Sequence, residues 1–261
     1  CIRDRSSMGA VVAAAAGAKV VKHGNRAASS KCGTADCFEA LGLPLDLEPE
    51  QVAEVGNECG IAFAFARTFH PAMRFVGPVR AALGMPCVFN VLGPLTNPAS
   101  PKHMAVGCAN RAMSPIMAAV YAANGQTGMV YTSSEGLDEM APTGPVSIWE
   151  FSNGKVTESE FDPTMELGLD KVTVADLKGG EPELNAQLFR DFLAGKDVPF
   201  RTTALLNAAS AIVADGHQVP ADASLTERFK AAYAIAEETV DSGKASALLD
   251  QWITAAQSKK A

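Results

Sequence analysis

The sequence predicts an α/β protein with a mixed, mainly parallel sheet flanked by helices. Three observations carry that expectation. Short apolar runs alternate with helical segments through the first half of the chain. An Asn153-Gly154 pair separates two segments of alternating polarity, a strong hairpin signal. A succession of helical patterns then fills the last third. With 261 residues and 48% hydrophobic composition, the chain is long enough to bury a substantial core.

Taken in order, residues 6–17 read as a buried Ala-rich helix and Ala18–Val21 as a short strand that ends at a polar cluster. Thr34 is placed to N-cap a helix to Leu41, with Gly42 just past its end. Pro49 opens a helix to about Cys59. Ile61–Phe65 is a short buried strand, and Pro71–Leu83 an amphipathic helix. His103–Cys108 and Thr127–Thr132 read as strands flanking a helix at Pro115–Ala123. Val146–Phe151 and Lys155–Phe161 form the hairpin, and helices follow at about Pro182–Ala194, Thr202–Ala214, Leu225–Ser242 and Ala245–Ser258. No internal repeat or low-complexity linker interrupts this order, so one main α/β unit with a helical tail is expected.

Bulk composition excludes several function classes. A formal net charge of -7 and a pI near 5.2 count against a general nucleic-acid binder, whose affinity rests on clustered Lys and Arg. The six cysteines are scattered, with no CxxC pair and no zinc-type His spacing, as in a reduced cytosolic protein. No segment reaches the roughly eighteen consecutive apolar residues of a membrane span, and the Ala-rich run from Gly9 to Gly17 is too short for one.

The richest chemistry lies between Lys22 and Asp36, where cations, an imidazole, an amide, hydroxyls and glycines crowd together after an apolar run. Lys22 and Arg26 suit phosphate, and Asn25 can both donate and accept. The same residues also suit a solvated turn after a strand. Glu135-Gly136-Leu137-Asp138-Glu139 follows a strand directly, so its adjacent carboxylates suit either a hard cation such as magnesium or an acidic surface turn. In Phe89–Pro98, Gly93-Pro94 and Asn97-Pro98 fix two turns, which either build a rigid buried loop or bring backbone close to a flat ligand. His70 and Arg80 stand about three helical turns apart. Arg80 reads as a carboxylate anchor or a surface ion-pair partner, and His70 as a hydrogen-bonding residue at a helix start.

The segments KHGNRAASSKCGTAD (22–36), FHPAM (69–73), VRAALG (79–84), FNVLGPLTNP (89–98) and GLDE (136–139) occur in the order seen in anthranilate phosphoribosyltransferases. Any one is weak; together they are specific, and the likeness runs from Ser6 to about Trp252. The resemblance implies the C-terminal domain fold shared by nucleoside phosphorylases and these phosphoribosyltransferases. It implies magnesium-dependent transfer of phosphoribose from 5-phosphoribosyl 1-diphosphate to the amine of anthranilate, releasing diphosphate, in tryptophan biosynthesis. By resemblance, Lys22 contacts the diphosphate substrate, Asn25 the anthranilate and ribose region, and Thr34 a phosphate. Arg80 holds anthranilate, whose ring Gly93 and Pro94 line, while Asp138, Glu139 and Ser6 form the metal side. No acid–base residue is assigned, because the amine of anthranilate is already a nucleophile. The family implies a cytoplasmic homodimer with no nucleic-acid or membrane partner.

The departures are specific too. The family carries a Gly-Thr-Gly-Gly-Asp loop shortly before the position of Ser6, and helices before that; Cys1–Arg5 do not match it. Residues 1–5 are therefore expected to be an unmatched or foreign leader and 6–261 the catalytic domain with its helical tail, the N-terminal helical domain being largely missing. Little or no turnover is expected of a chain without that loop. Arg67 stands where Pro is common, and Thr132-Ser133 where the family often has His-Gly. Two other functions share the fold: a pyrimidine nucleoside phosphorylase, and a non-catalytic nucleic-acid-binding homologue.

Overall fold

The structure, a computed structural model, describes residues 5–27, 31–76, 79, 82–83, 85, 87–220 and 222–260. The described chain opens with helix α1 (Arg5–Ala15), strand β1 (Val20–Gly24), helices α2 (Thr34–Leu41) and α3 (Pro49–Cys59), and strand β2 (Ile61–Phe65). A short α4 (Ala66–Phe69), a 3-10 turn over Pro71–Phe75 and α5 (Phe89–Leu95) lead to β3 (His103–Gly107), α6 (Ser114–Ala123) and β4 (Thr127–Ser133). The hairpin β5 (Val146–Ser152) and β6 (Lys155–Phe161) follows. The chain ends in α7 (Pro163–Glu166), α8 (Pro182–Leu193), α9 (Arg201–Asp215), α10 (Leu225–Asp241) and α11 (Lys244–Lys260).

The mixed α/β class is the expected one, with the strands divided between two sheets. Strands β1 and β2 pair in parallel, and β3-β4-β5-β6 form a second sheet whose β3–β4 pairing is parallel and whose other two pairings are antiparallel. Pairing of Ser152 with Lys155 closes the hairpin over Asn153 and Gly154. Their φ angles of +50° and +75° are what a two-residue turn of type I′ requires.

Helix α1 is the central pillar. Val11, Val12 and Ala13 are fully buried, and the helix lies against α9, whose Leu205, Leu206, Ala208 and Ala209 are also fully buried. Gly9 lets them touch, since a methyl there would come within 2.8 Å of the Ala208 amide nitrogen. Around this pair, Phe38 of α2 meets Phe63 of β2 and Trp252 of α11 edge to face, with ring centres 5.0 and 5.2 Å away. A smaller apolar cluster sits between the second sheet and α6, where Tyr121 and Phe151 stack.

Four expected elements differ in ways that matter for the site. Strand β1 starts at Val20 and runs on into the polar cluster, because Lys22, His23 and Gly24 pair with Phe63, Ala64 and Phe65 of β2. Thr34 is the first residue inside α2, not its cap; Gly33 is the cap residue. The Gly33 amide donates to the Asp36 side chain at 2.9 Å. The helix expected over 71–83 is a 3-10 turn at Pro71–Phe75, beyond which residues 77, 78, 80, 81 and 84 lie outside the described residues. Gly93-Pro94, read as a turn, lies inside α5, which ends at Thr96 with its hydroxyl bonded to the Leu92 carbonyl at 3.0 Å.

Candidate active site

The site is assembled around strand β1. Successive strand residues point to opposite faces, so Lys22 and His23 serve two different walls. Lys22 Nζ donates to Ser6 Oγ at 3.0 Å, joining the expected diphosphate contact to the expected metal-side hydroxyl. One residue earlier on α1, Arg5 points its guanidinium at Glu139, 3.8 Å away, with the two side chains 4% and 2% exposed. Arg5 also donates to the Leu177 carbonyl and lies over the Phe200 ring. The first turn of α1 thus ties the Lys22 wall to the acid pair.

The acid pair leaves β4 through a tight turn. Gly136 takes a φ of +68°, and the Ser133 hydroxyl accepts the Leu137 amide at 3.0 Å. Asp138 is half-buried and Glu139 is buried. Strand β3 presses on the pair through Gly107, where an added Cβ would fall 1.8 Å from the Asp138 carbonyl oxygen. After the pair, Met140 is held by Asn207 of α9 through both of its backbone groups, at 3.3 Å for the amide and 3.1 Å for the carbonyl.

On the other side of β1, His23 Nδ1 lies 3.2 Å from the Gly93 carbonyl, and its ring meets that of His70 edge to face at 4.9 Å. Burial, the neighbouring His70 and Lys22 depress the basicity of His23, and the Gly93 carbonyl opposes them only in part. The pKa falls from 6.5 to about 4. Asn97 donates to the Val21 carbonyl at 3.1 Å, which moors α5 and the segment after it to the strand. Among the described residues, nothing outside the helix's own backbone lies within 4 Å of where a Cβ on Gly93 would stand. Neither His23 nor His70 is assigned an acid–base role from the sequence, and their meeting is not legible from their separation in the chain.

The remaining expected residues are placed less centrally. Asn25 is exposed, its side chain accepting from the Arg26 amide at 2.8 Å and its carbonyl accepting from the Ala35 amide at 3.2 Å. Thr34 is buried against Gly24 at the start of α2. Arg26, weighed as a phosphate ligand, is instead engaged with Glu39 at 2.7 and 2.9 Å and with Asp36 at 3.0 Å. Asp36 also accepts the Ala27 and Gly33 amides, both at 2.9 Å. Burial works against its charge, but these amides and Arg26 hold its carboxyl below the ordinary range. Pro94 is half-buried in α5 beside Gly93. Arg80 lies outside the described residues, as do Ser29 and Ser30. Arg5, Tyr131 and Asn207 carry geometry that the motifs did not reveal; the available signal was a lone amide in an Ala- and Leu-rich helix.

Two carboxylates and a hydroxyl are hard oxygen donors, the kind magnesium takes, and Asp138 keeps part of its surface open to solvent. That chemistry fits the ion, although no group of three or more His, Cys, Asp or Glu side chains converges among the described residues. No helix among the described residues is long and apolar enough to cross a membrane.

Comparison with known proteins shows the family and the fold. The glycosyl transferase family, a/b domain, matches residues 4–246. The anthranilate phosphoribosyltransferase of Salinispora arenicola (strain CNS-205) is 50% identical over 251 residues, covering 96% of this chain and 70% of that one. The enzyme of the same name from Arthrobacter sp. (strain FB24) is 50% identical over 248 residues, covering 95% and 70%. Among solved structures, anthranilate phosphoribosyltransferase from Thermus thermophilus superposes with a TM-score of 0.88 at 40% identity, covering 97% of this chain and 73% of that one. The Saccharomyces cerevisiae enzyme in complex with PRPP and Mg gives 0.83 at 28% identity, covering 97% and 69%. A chain matched over nearly its whole length, at half identity to its relatives, belongs to the anthranilate phosphoribosyltransferase family.

Proposed function

We propose that the protein transfers phosphoribose from 5-phosphoribosyl 1-diphosphate to the amine of anthranilate, in the tryptophan pathway. The observation that carries the reading is the first turn of α1, where Ser6 meets Lys22 and Arg5 meets Glu139. That turn links Lys22, a cation suited to phosphate, through the neighbouring Ser6 and Arg5 to Glu139, one of two adjacent carboxylates suited to magnesium. The reaction breaks the bond between the anomeric carbon and diphosphate, forms the carbon–nitrogen bond, and releases the amine proton to solvent. Charge accumulates on the departing diphosphate, where Lys22 stabilises it. Ser6, Asp138 and Glu139 would hold magnesium, which supplies charge neutralisation to the diphosphate when bound. Asn25 and Thr34 complete the grip on ribose and phosphate.

Anthranilate is placed on the opposite side of β1, with its carboxylate on Arg80 and its ring along Gly93 and Pro94. The room left at Gly93 among the described residues and the uncharged His23 suit a flat aromatic ring. Positioning of the two substrates supplies much of the rate, so no strong base is required. The reading extends to a homodimer in the cytoplasm that binds no nucleic acid. The free cysteines and the charge of -7 suit that setting. The relatives named above favour this reaction over nucleoside phosphorolysis.

The test is consumption of anthranilate by the whole protein with 5-phosphoribosyl 1-diphosphate and magnesium. One diphosphate per anthranilate is expected, with loss of turnover on chelation and in Asp138→Asn and Glu139→Gln. Phosphorolysis of thymidine with no use of anthranilate would overturn the proposal.

A further inference from the structure

Asn207 lies in the middle of α9 and is 4% exposed, among residues that are almost all apolar. A buried amide is costly unless both of its donors and its acceptor oxygen are engaged. Here Oδ1 accepts the Met140 amide at 3.3 Å and the Tyr131 hydroxyl at 3.2 Å. Nδ2 donates to the Met140 carbonyl at 3.1 Å and the Thr203 carbonyl at 2.7 Å. Two of these four bonds go to the two backbone groups of one residue, the pairing a neighbouring strand would make. Such a pairing fixes both the position and the rotation of that peptide.

Met140 directly follows Glu139. Two residues before the acid pair ends, Ser133 holds the Leu137 amide at 3.0 Å. Asp138 and Glu139 are therefore suspended between two clamps, Ser133 on one side and Asn207 on the other. Tyr131 stays protonated to serve as the donor. Burial raises its phenol above the ordinary range against the opposing Ser210 bond, and the charges of Glu139 and Asp138 add to the rise. Asn207 makes no contact with Asp138 or Glu139 side chains in any of its four bonds, so it acts through the backbone.

We propose that Asn207 is a positioning residue for the acid pair, setting through Met140 the direction in which Asp138 and Glu139 present their carboxylates. This rests on the reading of that pair as magnesium ligands. Tyr131 fixes the rotation of the amide, and α9 provides the rigid support.

The experiment compares Asn207→Ala with Ser210→Ala in the whole protein. Ser210 belongs to the same network, bonding Tyr131 at 3.5 Å and the Asn207 carbonyl at 2.8 Å, but does not touch Met140. Amide hydrogen exchange at Asp138–Met140 is followed together with magnesium affinity by calorimetry in the presence of 5-phosphoribosyl 1-diphosphate. Asn207→Ala is expected to speed exchange there about tenfold, the size of a lost hydrogen bond. Magnesium affinity is expected to fall about tenfold, as when an outer support of a metal ligand is removed. Ser210→Ala changes neither by more than about twofold, since it leaves both Met140 bonds in place.

Exchange in Asn207→Ala that matches the parent protein overturns the proposal. So does faster exchange with unchanged magnesium affinity, provided Asp138→Asn weakens that affinity. If neither Asp138→Asn nor Glu139→Gln alters magnesium affinity, the metal reading fails, and exchange alone decides whether Asn207 positions the loop. Should Asn207→Ala not fold, Asn207→Asp removes both bonds donated by Nδ2, to the Met140 and Thr203 carbonyls. It is then expected to speed exchange at Asp138–Met140, and parent-like exchange in it overturns the proposal.

Discussion

Arg5 and Glu139 face one another inside the protein, Nη1 to Oε2 at 3.8 Å, with almost no solvent on either side chain. Removing one member of a buried ion pair leaves the other charge stranded, which costs about 3 kcal/mol or more. Arg5→Met keeps the apolar stem and deletes the charge, so a loss of that order is expected in urea unfolding. The double variant Arg5→Met/Glu139→Gln should lose less than the sum of the two single changes. Strict additivity would mean that the two charges do not support one another.

Lys22 is expected to grip the diphosphate substrate. Hydrogen bonds to charged groups contribute roughly 1.5–3 kcal/mol, so Lys22→Met should lower the affinity for 5-phosphoribosyl 1-diphosphate about 10- to 100-fold. Anthranilate affinity should change much less, because its proposed wall lies across β1. Calorimetry with each substrate separately checks both halves. Unchanged diphosphate-substrate affinity would remove Lys22 from the site.

His23 provides a pH signature. Its folded pKa is about 4 against an ordinary 6.5, so between those values the unfolded chain takes up a proton that the folded protein refuses. Stability from this group is therefore present above pH 6.5 and is lost as the pH falls through 4. The loss is of order 2 kcal/mol after allowance for partial solvent access. The ring should titrate with a midpoint near 4 in NMR, and a His23→Asn protein should have a flatter stability profile over that window. A midpoint near 6.5 would contradict the burial of the ring against His70.

Gly107 offers a route to the acid pair that touches no carboxylate. A methyl at this position would stand 1.8 Å from the Asp138 carbonyl oxygen, so backbone must move. Overpacking of this kind costs about 1–3 kcal/mol. Gly107→Ala is expected to lose that much stability and to weaken magnesium binding. Gly125→Ala, where a Cβ would have open space although φ is +73°, should lose stability without weakening the metal. Magnesium affinity is the readout that separates them.

Much of the fold is legible wherever a local signal sets the structure. Pro49 opens α3 and the helix runs to Cys59 as expected, and Asn153-Gly154 places the hairpin. The polar cluster was harder, because β1 extends to Gly24 only through its parallel pairing with a strand some forty residues away. Asp36 likewise displaced Thr34 as the cap by reaching back to Gly33 and Ala27, a choice set by the path of the loop. Of the site, the motifs supply Lys22, Ser6 and the acid pair. They do not supply Asn207, Tyr131 or the meeting of His23 with His70, which depend on how helices and strands pack.

The contact at Gly9 gives that packing a consequence for the site. Helix α1 carries Ser6 and Arg5 at its start, while α9 carries Asn207, and the two helices touch where a methyl would come within 2.8 Å of the Ala208 nitrogen. A hypothetical Cβ on Gly9 also meets Asn207 itself, so the bare backbone at position 9 sets how near the first turn of α1 can come to the support of the acid pair. A larger residue there would shift Ser6 and Asn207 together, a change made far from any ligand and felt on both sides of the site.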